Sequence, residues 1–208
     1  WILAWDADRL LHGLNGLWTA PMYFPYEATL AYSENLLGIA IFTAPLQWLT
    51  GNPVLVYNVA FLASFVLAGT GMYLLATSIT GSRAAGLVAG IAFAFLPYRA
   101  DKIPHLQVLM YGWMPVALWA FHRYFSTGHR LALTVFAVAF ILQGLSNGYF
   151  FYFFSAAVIV IGFAELLTRV WTRPRMIVEL AATAFLMLVS LIPVATAYLN
   201  VGANQALS

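Results

Sequence analysis

The chain has 208 residues, of which 63% are hydrophobic and only 8% are charged, and its mean hydropathy is +0.86. Soluble domains carry about 25% charged residues, so this composition excludes a water-soluble globular protein and indicates a polytopic membrane protein. A net charge of +2 without a basic patch gives no indication of nucleic-acid binding. The absence of cysteine excludes disulfides and thiolate metal sites.

The first segment, residues 1–50, is polar and aromatic and precedes any long apolar run. It contains four of the seven acidic residues, which are Asp6, Asp8, Glu27 and Glu34. We expect it to form an external loop that ends in a short apolar stretch, residues 36–50, interrupted by Pro45. Because a span needs about 20 residues, this stretch predicts a re-entrant or interfacial helix.

The rest of the chain, residues 51–208, predicts a single transmembrane domain with about six spanning helices. The expected spans are 53–80, 84–98, 104–125, 130–146, 147–168 and 176–199. The predicted fold class is therefore an all-α polytopic helix bundle preceded by an external loop. Because the chain starts at Trp1 and stops in a polar segment, we expect it to be part of a longer protein that continues beyond both ends.

The distribution of basic residues predicts the orientation of these helices. One set of loops contains Arg83, Arg123, Arg130, Arg169, Arg173 and Arg175, and the opposite set contains Arg9, Arg99 and Lys102. Cytoplasmic loops carry the excess of basic residues, so the first set is assigned to the cytoplasm. Residues 1–50 are then expected on the periplasmic or extracellular side.

Asp6 and Asp8 are the first candidates for chemistry. Two carboxylates two positions apart could share a divalent cation, or one could act as a base while the other holds substrate. The alternative is an acidic pair on a solvated helix end, neutralised by Arg9 and His12 about one turn further on. Both interpretations stay open at the level of the sequence.

Glu34 is a second candidate because it stands where the polar segment enters the apolar stretch 36–50. Ser33 or Asn35 could cap the following helix, and Glu34 would then only complement the helix dipole. Carboxylates at membrane depth are costly and usually functional, which favours a role in chemistry.

A second external loop, residues 97–107, concentrates polar groups between two prolines. These groups are Arg99, Asp101, Lys102, His105 and Gln107. Arg99 and Lys102 could hold a phosphate or diphosphate, and His105 could bind a metal ion or donate a proton. The alternative is an interfacial ion cluster whose long side chains reach the membrane surface.

Four phrases in order resemble a bacterial family of polytopic membrane proteins related to GT-C glycosyltransferases. They are FPYEATLAYSENLLG, TGNPVLVYN, LPYRADKIPHLQVL and WMPVALWAFHR, within roughly residues 1–150. The resemblance implies an integral enzyme of the bacterial cytoplasmic (inner) membrane. Such an enzyme transfers a sugar from a polyprenyl-phosphate-linked donor to an acceptor on the outer face of the membrane.

By position, the resemblance implies that Asp6 or Asp8 matches the family's first-loop acids and that Glu34 is a second catalytic polar group. The substrate-binding candidates, which would face the lipid-linked phosphate, are Arg99, Lys102, His105 and Gln107. A divalent cation is the cofactor to consider. We expect the acidic and basic loops to meet in one wet cavity. In this family a further helix precedes the first loop, often followed by an acidic residue, and neither lies in this chain.

Two other classes of function compete with the enzyme. A non-catalytic subunit of a larger membrane complex needs no site at all. A lipid-linked-sugar transporter is expected to place ionisable residues near the bilayer centre, and the predicted spans have almost none there. The expected partners are membrane lipid, the polyprenyl-phosphate sugar donor and other subunits of a membrane complex.

Overall fold

The computed structural model describes residues 1–23, 25–170 and 173–206, and the regular structure in those residues is helical. The α-helices are α1 Ile2–Leu11, α2 Leu37–Thr50, α3 Pro53–Thr80, α4 Arg83–Ala94, α5 Tyr98–Asp101, α6 Leu106–Leu109, α7 Trp113–Thr127, α8 Arg130–Gly144, α9 Gly148–Glu165 and α10 Pro174–Ala206. A 3₁₀ turn covers Thr29–Tyr32, and a π-helical turn, Leu166–Val170, continues α9.

Three helices in the described residues are long and apolar enough to cross a membrane. They are Pro53–Thr80, Gly148–Thr168 and Pro174–Val201. The helices α4, α7 and α8 have 12, 15 and 15 residues, which is short of the roughly 20 that a straight span needs. The all-helical membrane class is therefore supported, whereas the predicted count of six spans is not confirmed.

Two predicted spans differ from the observed helices for identifiable reasons. The helix α4 stops at Ala94, three residues before Pro97, whose ring disfavours helical backbone in the residue before it. The predicted helix 104–125 is broken, so that the short α6 and a turn precede α7. The turn ends at Gly112, which packs so closely on α3 that a Cβ would lie 2.7 Å from the backbone nitrogen of Ala68.

The short apolar helix α2 is present as predicted and has 14 residues. At 1.5 Å per residue it is about 21 Å long, less than the roughly 30 Å of a hydrocarbon core. Its inner face packs on α1 and α3 through Ile39, Ala40, Leu3 and Val56. The re-entrant or interfacial orientation of α2 in a membrane stays a prediction.

The main core lies between α7 and α8, where Phe121 stacks on Phe136 with ring centroids 4.3 Å apart. The pair α3 and α4 packs through small residues instead. A Cβ on Gly86 would lie 2.0 Å from the Thr77 hydroxyl oxygen, so glycine is needed for this approach.

The described polar side chains that bond α10 to other elements lie near its two ends. Glu179 bonds to Tyr124, Arg130 and Arg175, and Tyr198 bonds to Asn35. Nineteen positions separate Glu179 from Tyr198, which is roughly 28 Å along a helix and close to the thickness of a hydrocarbon core. Arg130 and Arg175, two of the basic residues assigned to the cytoplasm, therefore lie about one membrane thickness along α10 from the contact between Tyr198 and Asn35.

Candidate functional site

Asp6 lies on the inner face of α1 and has no exposed surface. Its Oδ2 accepts a hydrogen bond from the Leu36 backbone N–H at 3.0 Å. Its Oδ1 is buried and has no hydrogen-bond partner among the described residues. The Trp48 indole donates to the Ala7 carbonyl at 2.9 Å and holds α1 against α2. A single carboxylate oxygen is thus left available inside the protein.

The environment of Asp6 changes its acidity. Burial raises the pKa of its carboxyl to about 7, and the hydrogen bond from Leu36 opposes this shift only in part. A carboxyl with a pKa near the working pH accepts and returns a proton most effectively. Asp6 therefore has the acidity of a general base or acid near neutral pH.

Asp8 lies on the opposite side of α1 and is about half exposed. It forms an ion pair with Arg9, whose Nε donates to Oδ2 at 2.8 Å, and His12 contacts its backbone carbonyl at 2.8 Å. Residues two apart on a helix do not face each other, so Asp6 and Asp8 do not converge on a shared cation. Asp8 therefore matches the alternative interpretation, in which the acidic group is solvated and paired with Arg9. Within residues 1–23, 25–170 and 173–206, no group of three His, Asp or Glu residues could hold a metal ion.

Glu34 is partly buried at the N-terminus of α9 rather than capping α2. Burial raises the pKa of its carboxyl, and the backbone amides of Tyr149 and Gly148 lower it by a smaller amount. Its Oε2 is buried without a hydrogen-bond partner in the part of the chain that the structure describes. Glu34 therefore does lie at a helix N-terminus, but the helix is α9, more than a hundred residues later in the sequence, and not α2.

Asn35 and Tyr198 connect the acidic segment to the end of α10. The backbone N–H and the side-chain Nδ2 of Asn35 donate to the Tyr198 hydroxyl at 3.2 and 3.3 Å. The charges of Glu34 and Asp6 both act on this hydroxyl, so the three side chains lie in one neighbourhood. The Trp18 ring packs edge-on against the Tyr198 ring, with centroids 5.7 Å apart. We call Asp6, Glu34, Asn35 and Tyr198 the acidic site.

The second polar loop contacts the turn that precedes α9, next to the amides that face Glu34. Asn147 donates from Nδ2 to the Gln107 backbone carbonyl at 3.3 Å. It directly precedes Gly148 and Tyr149, whose backbone amides face Glu34. Leu106 packs into the same buried cluster as Leu3 of α1. This contact joins Gln107 to the start of α9 and not to residues 1–50, so the expected meeting of the charged side chains of the two loops stays a prediction.

The Arg99 side chain is enclosed by protein and is not accessible to a phosphate group. Its side chain is buried, with Nη2 donating to the Ser64 hydroxyl at 2.5 Å and Nη1 donating to the Leu109 carbonyl at 3.2 Å. The guanidinium also lies 3.9 Å from the centre of the Phe65 ring and 5.0 Å from that of Tyr111. These contacts tie the loop to α3 and leave Arg99 facing protein on every side.

Lys102 and His105 are the cationic candidates nearer the surface. The Lys102 ammonium lies 2.6 Å from Asp101, so its charge is met within its own loop. His105 is exposed, and its backbone carbonyl accepts from Val108 at 2.9 Å. Neither side chain bonds to Asp6, Asp8 or Glu34. The ion pair between Lys102 and Asp101 therefore agrees with the alternative interpretation of this loop as a cluster of paired charges.

Several polar residues near the site were not singled out in the sequence. Asn147 looked like part of a turn, and Tyr198 and Gln143 lay in predicted apolar spans. Gln143 is fully buried, and neither of its side-chain polar atoms has a partner among the described residues. The sequence signal for Tyr198 and Gln143 is a polar side chain inside an apolar stretch. Burying such a group costs free energy, so its presence indicates a functional or structural role.

No family model matches this chain, and comparisons with curated proteins and with solved structures give no match either. The chemistry of the acidic site therefore has to be inferred from its own geometry. That geometry supplies a buried carboxyl of neutral-range acidity, a second carboxyl of raised pKa, and a phenol and an amide beside them. Such a set can accept a proton from a hydroxyl group and hold that hydroxyl by hydrogen bonds.

Proposed function

We propose that the chain carries the acceptor-activating part of a GT-C-type membrane glycosyltransferase. The observation that supports this most directly is Asp6, a buried carboxyl with one unpartnered oxygen and a pKa of about 7. In the reaction, a sugar moves from a polyprenyl-phosphate donor to an acceptor hydroxyl. The hydroxyl proton passes to Asp6 Oδ1 as the new glycosidic bond forms and the donor phosphate leaves.

The remaining residues of the acidic site take roles that match their positions. Glu34 holds the acceptor through its partly buried carboxylate, and Tyr198 and Asn35 supply hydrogen-bond donors beside it. His105, which is exposed, receives the donor phosphate at the membrane surface, and Lys102 joins it by exchanging its exposed partner Asp101 for the phosphate. Asp8 and Arg99 have structural roles in this proposal, because their charges are already engaged by neighbouring groups.

Substrate entry requires movement in this proposal. Asp6 is closed off by α1, α2 and the backbone of Leu36. Ser33 and Glu34 are only partly buried, so the segment that contains them is the one most easily displaced. Opening there would bring a hydroxyl to Oδ1 from the aqueous side.

The test is a transfer assay on the purified membrane protein in liposomes, with a panel of polyprenyl-phosphate hexoses as donors. General-base catalysis is worth about 10²–10⁴-fold, so Asp6→Asn should lower kcat by about 100-fold or more. Asp8→Asn is the matched control and should retain most of the activity, since Asp8 is solvated and paired. Equal activity of wild type and Asp6→Asn would refute the role of Asp6.

A non-catalytic subunit is the second candidate, and the enclosure of Arg99 favours it. A catalytic phosphate site would be expected to leave this arginine open to substrate. If no donor of the panel is consumed by the wild-type protein or by any variant, the subunit interpretation is preferred.

A further inference from the structure

The basic end of the bundle holds two arginines in a fixed arrangement. The Nε atoms of Arg130 and Arg175 donate to the same oxygen of Glu179, at 2.8 and 2.9 Å. The Tyr124 hydroxyl donates to the other oxygen at 2.9 Å, so α7, α8 and α10 meet at one carboxylate. The two guanidinium groups are thus placed side by side by a common partner.

Both guanidinium groups retain unused donors that face outward. The side chains of Arg130 and Arg175 are 72% and 69% exposed, while that of Glu179 is 13% exposed. Their Nη atoms have no hydrogen-bond partner in the described parts of the chain. Two arginines against one carboxylate leave a local excess of positive charge. Such a pair suits an anionic oxygen acid, because each fork can donate two parallel hydrogen bonds.

An apolar cavity of about 650 Å³ lies between α7, α8, α9 and α10. Its lining includes Phe121, Phe136, Phe163, Ile177, Leu180 and Met187. Thr183, which also lines the cavity, lies one turn after Glu179 on the same face of α10, and Phe121 lies about one turn before Tyr124 on α7. The cavity lining therefore lies about one helical turn from the carboxylate and the phenol that hold the arginine pair.

The cavity offers almost nothing to a polar ligand. Its hydroxyl groups, on Ser155 and Thr183, donate to the carbonyls of Phe151 and Glu179 in their own helices, at 2.7 and 2.8 Å. A water molecule needs two to four polar partners, so hydrocarbon suits this space better than water does. The helices that enclose it include two of the three candidate spans in the described residues, Gly148–Thr168 and Pro174–Val201.

We propose that this end of the protein binds one anionic phospholipid, with the headgroup phosphate on Arg130 and Arg175 and an acyl chain in the cavity. The cytoplasmic leaflet carries anionic lipids, and basic pockets between membrane helices on that side bind their headgroups. The arginine pair lies at the end that the positive-inside rule assigns to the cytoplasm. The lipid is distinct from any donor at the acidic site, about one membrane thickness away.

Native mass spectrometry of the purified protein in detergent tests this site, with phosphatidylglycerol, phosphatidylcholine and soluble glycerol phosphate as the added ligands. Phosphatidylglycerol should bind about tenfold more tightly than phosphatidylcholine, because only its headgroup leaves the phosphate charge uncompensated. Glycerol phosphate should not bind detectably, since it lacks the chain. Equal binding of the two lipids, or binding of glycerol phosphate as tight as that of phosphatidylglycerol, would overturn the proposal.

Two variants separate the headgroup from the chain. The triple variant Arg130→Gln, Arg175→Gln, Glu179→Gln removes all three charges together and leaves an amide for the Tyr124 hydroxyl, so no buried carboxylate is stranded. It should lose the preference for phosphatidylglycerol, whereas Arg83→Gln, at the exposed start of α4, should keep it. Ala184→Phe fills the cavity and should weaken phosphatidylglycerol binding with the arginines intact. Unchanged binding in the triple variant or in Ala184→Phe would contradict the site.

Discussion

Burial separates the carboxyl groups of residues 1–50 into different chemical types. Asp6 has no exposed surface and a pKa of about 7, whereas Asp8, two residues later, is solvated and bound to Arg9. Glu34 stands between these extremes, with a pKa raised by burial and partly restored by the amides of α9. In the acidic site, the carboxyl of Asp6 is therefore able to take up a proton near neutral pH.

The buried carboxyl of Asp6 predicts a pH-dependent stability. Its pKa rises from 3.8 to about 7 on folding, so between these values the folded state holds a proton that the unfolded state releases. Stability should therefore fall as pH rises from about 4 to about 7 and then level off, with a total effect of the order of 4 kcal/mol. Melting temperatures in detergent should show this slope in wild type and in Asp8→Asn, and a flatter one in Asp6→Asn. Parallel slopes for wild type and Asp6→Asn would contradict the burial of this group.

Arg99 predicts a structural effect instead of a loss of donor binding. Arg99→Ala removes the bonds to Ser64 and to the Leu109 carbonyl and opens a gap beside Phe65. We expect a loss of about 3 kcal/mol, because a buried charged hydrogen-bond network is broken. Lys102→Ala, in the same loop but paired only with exposed Asp101, should change stability by less than about 0.5 kcal/mol. Equal melting temperatures for the two variants would argue against the closed position of Arg99.

At the scale of helices, close backbone approaches position the site. The N–H of Gly38 in α2 donates to the Leu145 carbonyl at 2.9 Å, and a Cβ on Gly38 would lie 2.3 Å from the Leu142 carbonyl oxygen. Residues 34–36, which contact Asp6, Tyr198 and α9, lie directly before this contact. The approach of α2 to α8 thus sets where the acidic segment stands.

Substitution of Gly38 tests this positioning. Gly38→Ala must push α2 away from α8, and overpacking of this kind typically costs about 1–3 kcal/mol. It should lower the melting temperature and reduce transfer activity, since Glu34 and Asn35 shift with the helix. Gly148→Ala is the control, because a Cβ there meets no atom within 4 Å. An equal effect of both substitutions on melting temperature would show that the α2–α8 approach is not limiting.

The sequence predicted the elements better than their partners. Apolar length located α3, α9 and α10, and Pro45 with the short run located α2, because these features are local. The sequence places Glu34 beside α2, with the α2 dipole as the alternative to a role in chemistry, yet Glu34 faces the N-terminus of α9. Arg99 is a candidate for phosphate binding, but its side chain is buried and bonded to α3. Contacts over such separations depend on helix packing, which hydrophobic patterning does not encode.

At the scale of the whole molecule, polar groups form two layers on either side of an apolar region. The acidic site, which includes Tyr198, defines one layer, and Glu179 with Arg130 and Arg175 defines the other. Their separation along α10 matches a hydrocarbon core. The count of basic residues predicts that the second layer faces the cytoplasm, which stays a prediction. The number of spans does not follow from composition, because α4, α7 and α8 have only 12, 15 and 15 residues.

The sidedness predicts a labelling pattern. The chain has no cysteine, so single cysteines can be introduced without background. Cysteines replacing Ser33 and Ala100 should react with an impermeant thiol reagent added outside the cell, and one replacing exposed His129 should react only after lysis. Protection of the first two positions and labelling of the third in intact cells would reverse the orientation.

The most direct test of the central proposal is the pH dependence of sugar transfer by the wild-type protein. A general base has to be ionised to accept the acceptor proton, so kcat/KM should rise with pH and level off above an apparent pKa of about 7. The profile should keep this pKa in Asp8→Asn, and the residual activity of Asp6→Asn should lose it. A rise centred near pH 4, or a pKa near 7 that persists in Asp6→Asn, would contradict the assignment of Asp6 as the base.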